Sequence, residues 1–146
     1  MTIALSGKEV ATKLEQQFPS GIISSTEDSL LVKGESLFDI ISFLKTSPEF
    51  KFDFLNSISA VDYFNYFEIV YHLTSMEHNH SLVLKTRCDG RENLSVPSIV
   101  SLYEGANAQE REIYDLMGIS FEGHPNMKRI FLWDGFQGHP LRKDYV

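Results

Sequence analysis

A pair of alternating runs, residues 67–74 and 82–87, constrains the fold of this chain more than any other feature. Alternation with a period of two places one set of side chains on each face of a β-strand. One of these sets holds the large apolar residues Phe67, Ile69, Tyr71, Leu73, Leu82 and Leu84. Because only the polar turn 75–79 separates the runs, they predict an antiparallel hairpin. An aromatic and β-branched stretch before them, residues 52–61, predicts a third strand.

Two helices are predicted ahead of this sheet. Ser6 and Glu9 form a capping-box pattern at the start of the first helix, and Pro19 ends the apolar repeat that follows. The second helix is indicated by apolar residues at helical spacing between 37 and 44, and it ends before Pro48. Between the two helices, residues 22–32 read as two short strands around a polar turn.

A third helix and an irregular tail complete the pattern. Asn107 is placed to cap this helix with Glu110 at its third position, and Gly118 is placed to close it in a left-handed conformation. The last residues show no sustained period, although they contain aromatic side chains. We therefore expect an α+β, two-layer domain over residues 1–123, with a mainly antiparallel sheet. Residues 124–146 are expected to form an irregular tail, whose aromatic side chains must either fold back on this domain or, as we expect, dock on partner subunits.

The composition excludes several classes of protein. The net charge of −7 disfavours nucleic-acid binding, since phosphate contacts need a basic face. The tail alone carries +2, which leaves −9 on residues 1–123. With a single cysteine, Cys88, the chain has neither an internal disulfide nor a four-cysteine metal site. It also lacks an apolar run of about 20 residues and a signal peptide, so we expect it to be soluble or held at a membrane through partners.

The candidate chemical sites are weak. His78 and His80 lie in a predicted turn without further ligands, and His124 and His139 each stand in a Gly-His-Pro turn. A carboxylate pair among residues 110–115 could serve acid–base catalysis, but no nucleophile accompanies it. The simpler expectation is that Arg111 pairs with Asp115 one helical turn further on. Neither a phosphate-binding loop nor a dinucleotide-binding motif occurs. These observations favour a subunit of an assembly over a free-standing enzyme.

A longer pattern gives a more specific prediction. The run from Glu110 to Ile119, ERE-x-YD-x-x-GI, resembles the signature of the 30-kDa subunit family of respiratory complex I. The resemblance continues through Phe121-Glu122-Gly123-His124-Pro125, Arg129-Ile130 and the terminal Gly138-His139-Pro140-Leu141-Arg142-Lys143-Asp144-Tyr145. One departure is Ala108, where the family usually has an aromatic residue.

The resemblance implies a peripheral-arm subunit of a proton-translocating NADH:quinone oxidoreductase, with no cofactor in this chain. FMN, iron–sulfur clusters and quinone are then expected on other subunits. The implied partners are the quinone-site subunit that resembles the large hydrogenase subunit, and the subunit with the terminal iron–sulfur cluster. The implied location is the cytoplasmic face of a bacterial plasma membrane, reached through the complex. The residues expected at partner interfaces are Glu110, Arg111, Glu112, Tyr114, Asp115, His124, Arg129, His139, Leu141, Arg142, Lys143, Asp144 and Tyr145.

Two alternatives remain open at this point. The same signature is compatible with the equivalent subunit of a membrane-bound hydrogenase or another complex-I-like oxidoreductase. A different class is a free-standing metal-dependent enzyme that uses His124 and His139.

Overall fold

The computed structural model describes residues 2–145. Its elements, in chain order, are β1 (Ile3–Ala4), α1 (Gly7–Leu14), β2 (Ile22–Ser25), β3 (Leu30–Val32), α2 (Gly34–Thr46), β4 (Phe54–Asp62), β5 (Tyr66–Ser75), β6 (His80–Asp89), β7 (Ser95–Pro97), α3 (Ala106–Met117) and β8 (Ser120–Glu122). Strands β2, β3, β6, β5 and β4 lie side by side in that order, and β1 also pairs with β6. The pair β7 and β8 forms a small separate sheet.

The predicted hairpin is the centre of the main sheet. Strands β5 and β6 pair antiparallel in unbroken register, from Tyr66 opposite Asp89 to Ser75 opposite His80. Strand β4 pairs antiparallel with β5, whereas β1 and β3 run parallel to β6. The prediction of a mainly antiparallel α+β domain in two layers is therefore confirmed.

The three helices share one apolar core with the sheet. The inward residues of β5, Phe67, Ile69, Tyr71 and Leu73, are fully buried. Residues from all three helices join them in a single cluster, among them Leu14, Ile40 and Ile113. This cluster explains the alternation seen in the sequence, since the intervening β5 residues lie on the opposite face of the sheet.

The ends of α1 and α3 agree only in part with the sequence-based prediction. Ser6 does occupy the N-cap of α1, but its side chain makes no capping hydrogen bond. Helix α1 ends at Leu14, and a turn rather than a helix leads toward Pro19. Helix α3 begins at Ala106 with Gly105 as its N-cap, so the capping role predicted for Asn107 is wrong. The left-handed cap at Gly118 is confirmed, with φ of 78°.

Three short strands, β1, β7 and β8, lie outside the sequence-based prediction, because strands of two or three residues carry no usable period. Strand β7 pairs parallel with β8 from Ser95 opposite Ser120 onward, and thereby ties the segment before α3 to the segment after it. Beyond β8, the described part of the tail contains neither helix nor strand. Among residues 2–145, no helix has the length and apolar character needed to cross a membrane.

Candidate partner interface

The buried carboxylate of Asp115 organises the irregular tail. Asp115 is fully buried near the end of α3. Its Oδ2 accepts hydrogen bonds from the backbone N–H groups of Ile130, Phe131 and Leu132 at 3.2, 2.7 and 3.0 Å. Its Oδ1 accepts one from Arg129 Nη1 at 2.8 Å. Burial alone would raise the pKa of this carboxyl, but the four donors outweigh it and hold the pKa below its ordinary value.

Arg129 holds the far end of the same tail segment, residues 130–138. Besides the Asp115 carboxylate, its Nη1 binds the Asp115 carbonyl at 3.1 Å. Its Nη2 donates to the carbonyls of Phe136 and Gly138 at 3.2 and 2.9 Å. The planar guanidinium thus joins both ends of residues 130–138 to helix α3, a task for which its fixed fork of donors is suited.

Arg111 fixes the approach to this loop. Its Nε donates to the carbonyl of Lys128 at 3.0 Å, and its Nη2 donates to that of Arg129 at 2.9 Å. The ordinary role expected of Arg111 from its spacing is an ion pair with Asp115 one turn along the helix. That expectation is wrong, because Asp115 pairs with Arg129 and Arg111 binds main-chain carbonyls.

The loop held in this way displays large apolar side chains to solvent. We call residues 130–136 the aromatic loop. Within it Phe131 is 64% exposed, Trp133 is 70% exposed and Ile130 is 38% exposed. Trp133 packs edge-to-face on Phe136 and lies over Gly135, where a Cβ atom would stand 2.1 Å from the indole ring. A buried ionic frame that presents exposed aromatic residues is typical of a protein-binding surface.

A second group of contacts holds the end of the tail, and we call it the ionic clasp: Asp62, Arg91, Arg142, Lys143 and Asp144. The Arg91 guanidinium binds Asp62 Oδ2 at 2.9 Å and Asp144 Oδ2 at 3.0 Å. The backbone N–H of Lys143 donates to Asp62 Oδ2 at 2.8 Å, and Arg142 Nη2 donates to the carbonyl of Arg91. The hydrogen bond from Arg91, more than any other contact, lowers the pKa of Asp62.

Aromatic rings line the clasp. The Arg142 and Arg91 guanidinium groups lie 5.1 and 4.7 Å from the ring centre of buried Phe67. Lys143 Nζ lies 5.2 Å from the ring centre of the exposed Phe64. No sequence pattern selects Asp62, Arg91 or Phe64, since they are separated along the chain and belong to no motif.

Glu110 acts inside the domain. It is fully buried, and it accepts hydrogen bonds from Ser98 Oγ at 2.6 Å and from the Ile99 N–H at 2.9 Å. Burial raises its pKa, although these two bonds partly offset the effect. Glu110 therefore holds the segment before α3 in place, whereas the neighbouring Glu112 is exposed to solvent.

The two histidines of the Gly-His-Pro turns make hydrogen bonds within the chain. His124 accepts from the Asn126 N–H through Nδ1 at 2.9 Å and contacts the Asn107 carbonyl through Nε2 at 3.1 Å. His139 donates through Nδ1 to the Asp115 carbonyl at 2.9 Å. Across residues 2–145, no three His, Cys, Asp or Glu side chains form a group that could hold a metal ion. Since both ring nitrogens of His124 form hydrogen bonds within the chain, a metal site shared with His139 has no support in this geometry.

The remaining predicted interface residues surround these contacts. The ring centroids of Tyr114 and His139 lie 6.3 Å apart. Leu141 is 61% exposed, and its N–H donates to the Leu116 carbonyl at 2.9 Å. Tyr145 is 42% exposed and its ring packs near Gly138. The structure thus brings most of the predicted residues to one region, although Val146 lies outside the described residues. Partner contact by these side chains stays a prediction.

The chain is similar to the proteins of one family. Residues 30–146 match the family described as respiratory-chain NADH dehydrogenase, 30 Kd subunit. The chain is 40% identical to a subunit of the NADH-quinone oxidoreductase of Roseiflexus sp. strain RS-1, over 97% of this chain and 85% of that protein. It is 42% identical to the corresponding NADH-quinone oxidoreductase subunit of Dinoroseobacter shibae, over 99% of this chain and 69% of that one.

Relatives outside the bacterial NADH-quinone oxidoreductases also match. The mitochondrial NADH-ubiquinone oxidoreductase 30.4 kDa subunit of Neurospora crassa is 41% identical over 91% of this chain and 46% of its own length. Among solved structures, a chain of the membrane-bound sulfane sulfur reductase, an archaeal respiratory membrane complex, matches with a TM-score of 0.74 and 26% identity. That match covers 96% of this chain and 85% of the other.

Proposed function

The chain belongs to the 30-kDa subunit family of respiratory-chain NADH dehydrogenases, and we propose that it is a peripheral-arm subunit of a proton-translocating NADH:quinone oxidoreductase. The observation that carries this proposal is the likeness to bacterial NADH-quinone oxidoreductase subunits along nearly the whole chain. In this role the chain supports assembly of the quinone-reducing part of the complex and binds no redox cofactor. FMN, iron–sulfur clusters and quinone belong to other subunits.

The geometry supports a docking role for the family signature. Asp115 and Arg129 both belong to the pattern that resembles the family, and together they build the aromatic loop. Arg111, from the same pattern, holds the main chain that enters the loop. The charged residues Arg111, Asp115 and Arg129 thus bind groups of this chain. They fix the loop in the conformation that exposes Phe131 and Trp133 to solvent.

The proposed partners are the quinone-site subunit that resembles the large hydrogenase subunit and the subunit with the terminal iron–sulfur cluster. Aromatic residues surrounded by basic ones match the composition of interface centres. Lys128 and Lys143 supply positive charge before and after the aromatic loop in the sequence, against an otherwise acidic domain. The complex would hold the chain at the cytoplasmic face of a bacterial plasma membrane.

One second candidate has a specific observation behind it. The likeness to a chain of the archaeal sulfane sulfur reductase shows that this fold also occurs in a respiratory membrane complex with another named reaction. The equivalent subunit of such a related oxidoreductase is therefore the alternative. The identity of 26% to that chain, against 40% to the Roseiflexus protein, favours the NADH:quinone oxidoreductase.

Purification of the native complex from its source membrane separates these two functions. The complex is captured through a tag on this chain and supplied with NADH, hydrogen or formate, with quinone reduction as the measurement. We expect NADH to be the donor that supports quinone reduction. Reduction with hydrogen or formate, and none with NADH, would assign the chain to a related oxidoreductase instead.

A pair of variants tests the docking role. Trp133→Ala removes the most exposed aromatic side chain of the aromatic loop, and Ile23→Ala removes a 53% exposed side chain from β2. Interface centres lose about 2 kcal/mol or more when such an aromatic anchor is truncated. We expect Trp133→Ala to reduce co-purification with the quinone-site subunit, and Ile23→Ala to retain it. Equal retention by both variants would remove the aromatic loop from the interface.

A further inference from the structure

Part of the edge strand β4 is open to pairing with another chain. Its first eight residues, 54–61, contain neither a charged residue nor a proline. Natural proteins protect sheet edges with charges, prolines or very short strands, because unpaired main-chain groups attract further strands. The opposite edge is protected in this way, since β2 has four residues and an irregular register.

The open main-chain groups of β4 include those of Ala60. The N–H of Ile58 points away from β5, because it donates to Gln109 Oε1 of α3 at 2.7 Å. The N–H of Tyr63 points the other way and donates to the carbonyl of Tyr66 at 2.9 Å. Since directions alternate along a strand, the N–H and C=O of Ala60 point outward like those of Ile58. Within the part of the chain that the structure describes, no side chain covers them as Gln109 covers Ile58.

A small apolar cleft adjoins this position. It has a volume of about 160 Å³ and lies between β4 and α3, where Ile113, Leu116 and Met117 line it and Leu141 forms part of its border. A cavity of about 150 Å³ accepts a molecule the size of benzene. The cleft is therefore large enough for one leucine or phenylalanine side chain.

We propose that the β4 edge at Ala60 binds an extended segment of a partner protein, with one large apolar side chain of that segment in the cleft. A residue opposite Ala60 would exchange both main-chain hydrogen bonds with it, as in an antiparallel ladder. Its side chain would then lie on the same sheet face as that of Ala60, which is the face that α3 covers. The main-chain groups and the cleft thus fit a single residue of the partner.

The charge at the cleft indicates the neighbouring residue of the partner. Glu112 lines the same cleft and is exposed, and it forms no ion pair with another side chain between residues 2 and 145. The domain around it is acidic. The segment that binds here therefore carries a lysine or arginine beside its apolar residue, since opposite charges across an interface favour the correct partner.

This inference goes beyond the proposed function, because it concerns a second surface and requires only that the chain is assembled with other proteins. It is tested by hydrogen exchange of the peptide around residues 58–62, measured in the isolated chain and in the purified native complex. We expect exchange at Ala60 to be slower in the complex by about tenfold or more. Unchanged exchange would overturn the proposal, whichever electron donor the complex uses.

Two substitutions test the cleft. Ala60→Leu places a side chain of this chain into the cleft, whereas Val61→Leu changes an exposed residue on the opposite face of the strand that does not line the cleft. We expect Ala60→Leu to abolish the slowed exchange and Val61→Leu to preserve it. Glu112→Arg, which alters only an exposed charge, should reduce the slowing by several-fold even if Ala60→Leu destabilises the fold. Slowed exchange that persists in both Ala60→Leu and Glu112→Arg would overturn the proposal.

Discussion

The imidazole of His139 lies against Gly118, where a Cβ atom would stand 2.8 Å from the ring Cδ2. Gly118 ends α3 with a positive φ, and His139 donates to the carbonyl of Asp115 within the same helix. The absence of a side chain at Gly118 thus allows both the turn out of the helix and the return of the tail. The helix end and the tail are one structural unit.

Gly118→Ala should therefore lower the free energy of unfolding by more than the cost of a left-handed backbone conformation at alanine. A left-handed alanine costs about 1 kcal/mol, and displacement of His139 adds to that. Gly90→Ala is the matched control, because Gly90 has φ of 88° and a Cβ atom there would meet nothing within 4 Å. Urea unfolding of both variants measures the difference. Equal losses would show that His139 adapts without cost.

Asp115→Asn should loosen the aromatic loop. The substitution removes the charge that Arg129 and three N–H groups share, and loss of one partner of a buried ion pair costs about 3 kcal/mol or more. Trp133 is the single tryptophan of the chain, so its fluorescence reports on this loop directly. We expect a shifted emission and faster proteolysis near residue 130. Asp134→Asn, at an exposed position of the same loop, should leave both unchanged.

The sequence predicts the sheet well because period-two alternation repeats over long strands. Phe67, Ile69 and Tyr71 are buried as their spacing requires. The same local evidence fails for α3, whose cap is set by Gly105 rather than by Asn107. Helix starts depend on how the preceding segment arrives, and here the chain arrives from a loop in which the Ser98 hydroxyl and the Ile99 N–H bind Glu110. That contact is invisible in the sequence.

The sequence predicts which residues belong to the candidate site, but it does not predict how they contact one another. The signature selects Asp115 and Arg129 by resemblance, but nothing in their spacing indicates that three consecutive N–H groups bind one carboxylate oxygen. Asp62 and Arg91 escape prediction for a related reason. They meet because β4 and β6 end on the same side of the sheet, where the tail also lies. Contacts between residues so far apart in the chain leave no periodic signal in the sequence.

Acid should weaken the ionic clasp through Asp62. The pKa of Asp62 is lowered in the fold, chiefly by the hydrogen bond from Arg91, so the unfolded chain takes up this proton first as the pH falls. The stabilisation is complete above the ordinary aspartate pKa of about 3.9 and is lost as the pH falls through the lower folded value. As the pH falls from about 5 to about 2, the free energy of unfolding should decrease less in the Asp62→Asn variant than in the parent chain. Exposed Asp89→Asn is the control, and the same loss in all three chains would contradict this role.

Glu110 should produce the opposite pH dependence. Burial raises its pKa, so the folded chain keeps the proton to higher pH than the unfolded chain does. Its contribution is fully present below the ordinary glutamate pKa of about 4.3 and is lost as the pH rises through the folded value. Glu110→Gln retains the size and stays neutral, so its unfolding free energy should improve relative to the parent chain as the pH rises from about 4 toward 7. A constant difference across these pH values would show that Glu110 titrates normally.

Arg142 and Lys143 provide the sharpest test of how the tail is held, because they are adjacent and have opposite environments. The sequence-based prediction makes both of them partner contacts and places the tail, residues 124–146, outside the domain. In the structure Arg142 packs over buried Phe67 and donates to the carbonyl of Arg91, whereas the Lys143 side chain is exposed. Arg142→Ala should therefore lower the unfolding free energy by about 1–3 kcal/mol, since it leaves the Arg91 carbonyl without its donor.

Lys143→Ala should stay within about 0.5 kcal/mol of the parent chain, as surface substitutions usually do. Its effect should instead appear in assembly, where loss of an exposed charge slows association and reduces its dependence on salt. Urea unfolding of the isolated variants and their rate of association with the partner subunits separate the two roles. If Arg142→Ala unfolds like the parent chain and only fails to assemble, then Arg142 serves the partner rather than its own domain, as the sequence alone predicts.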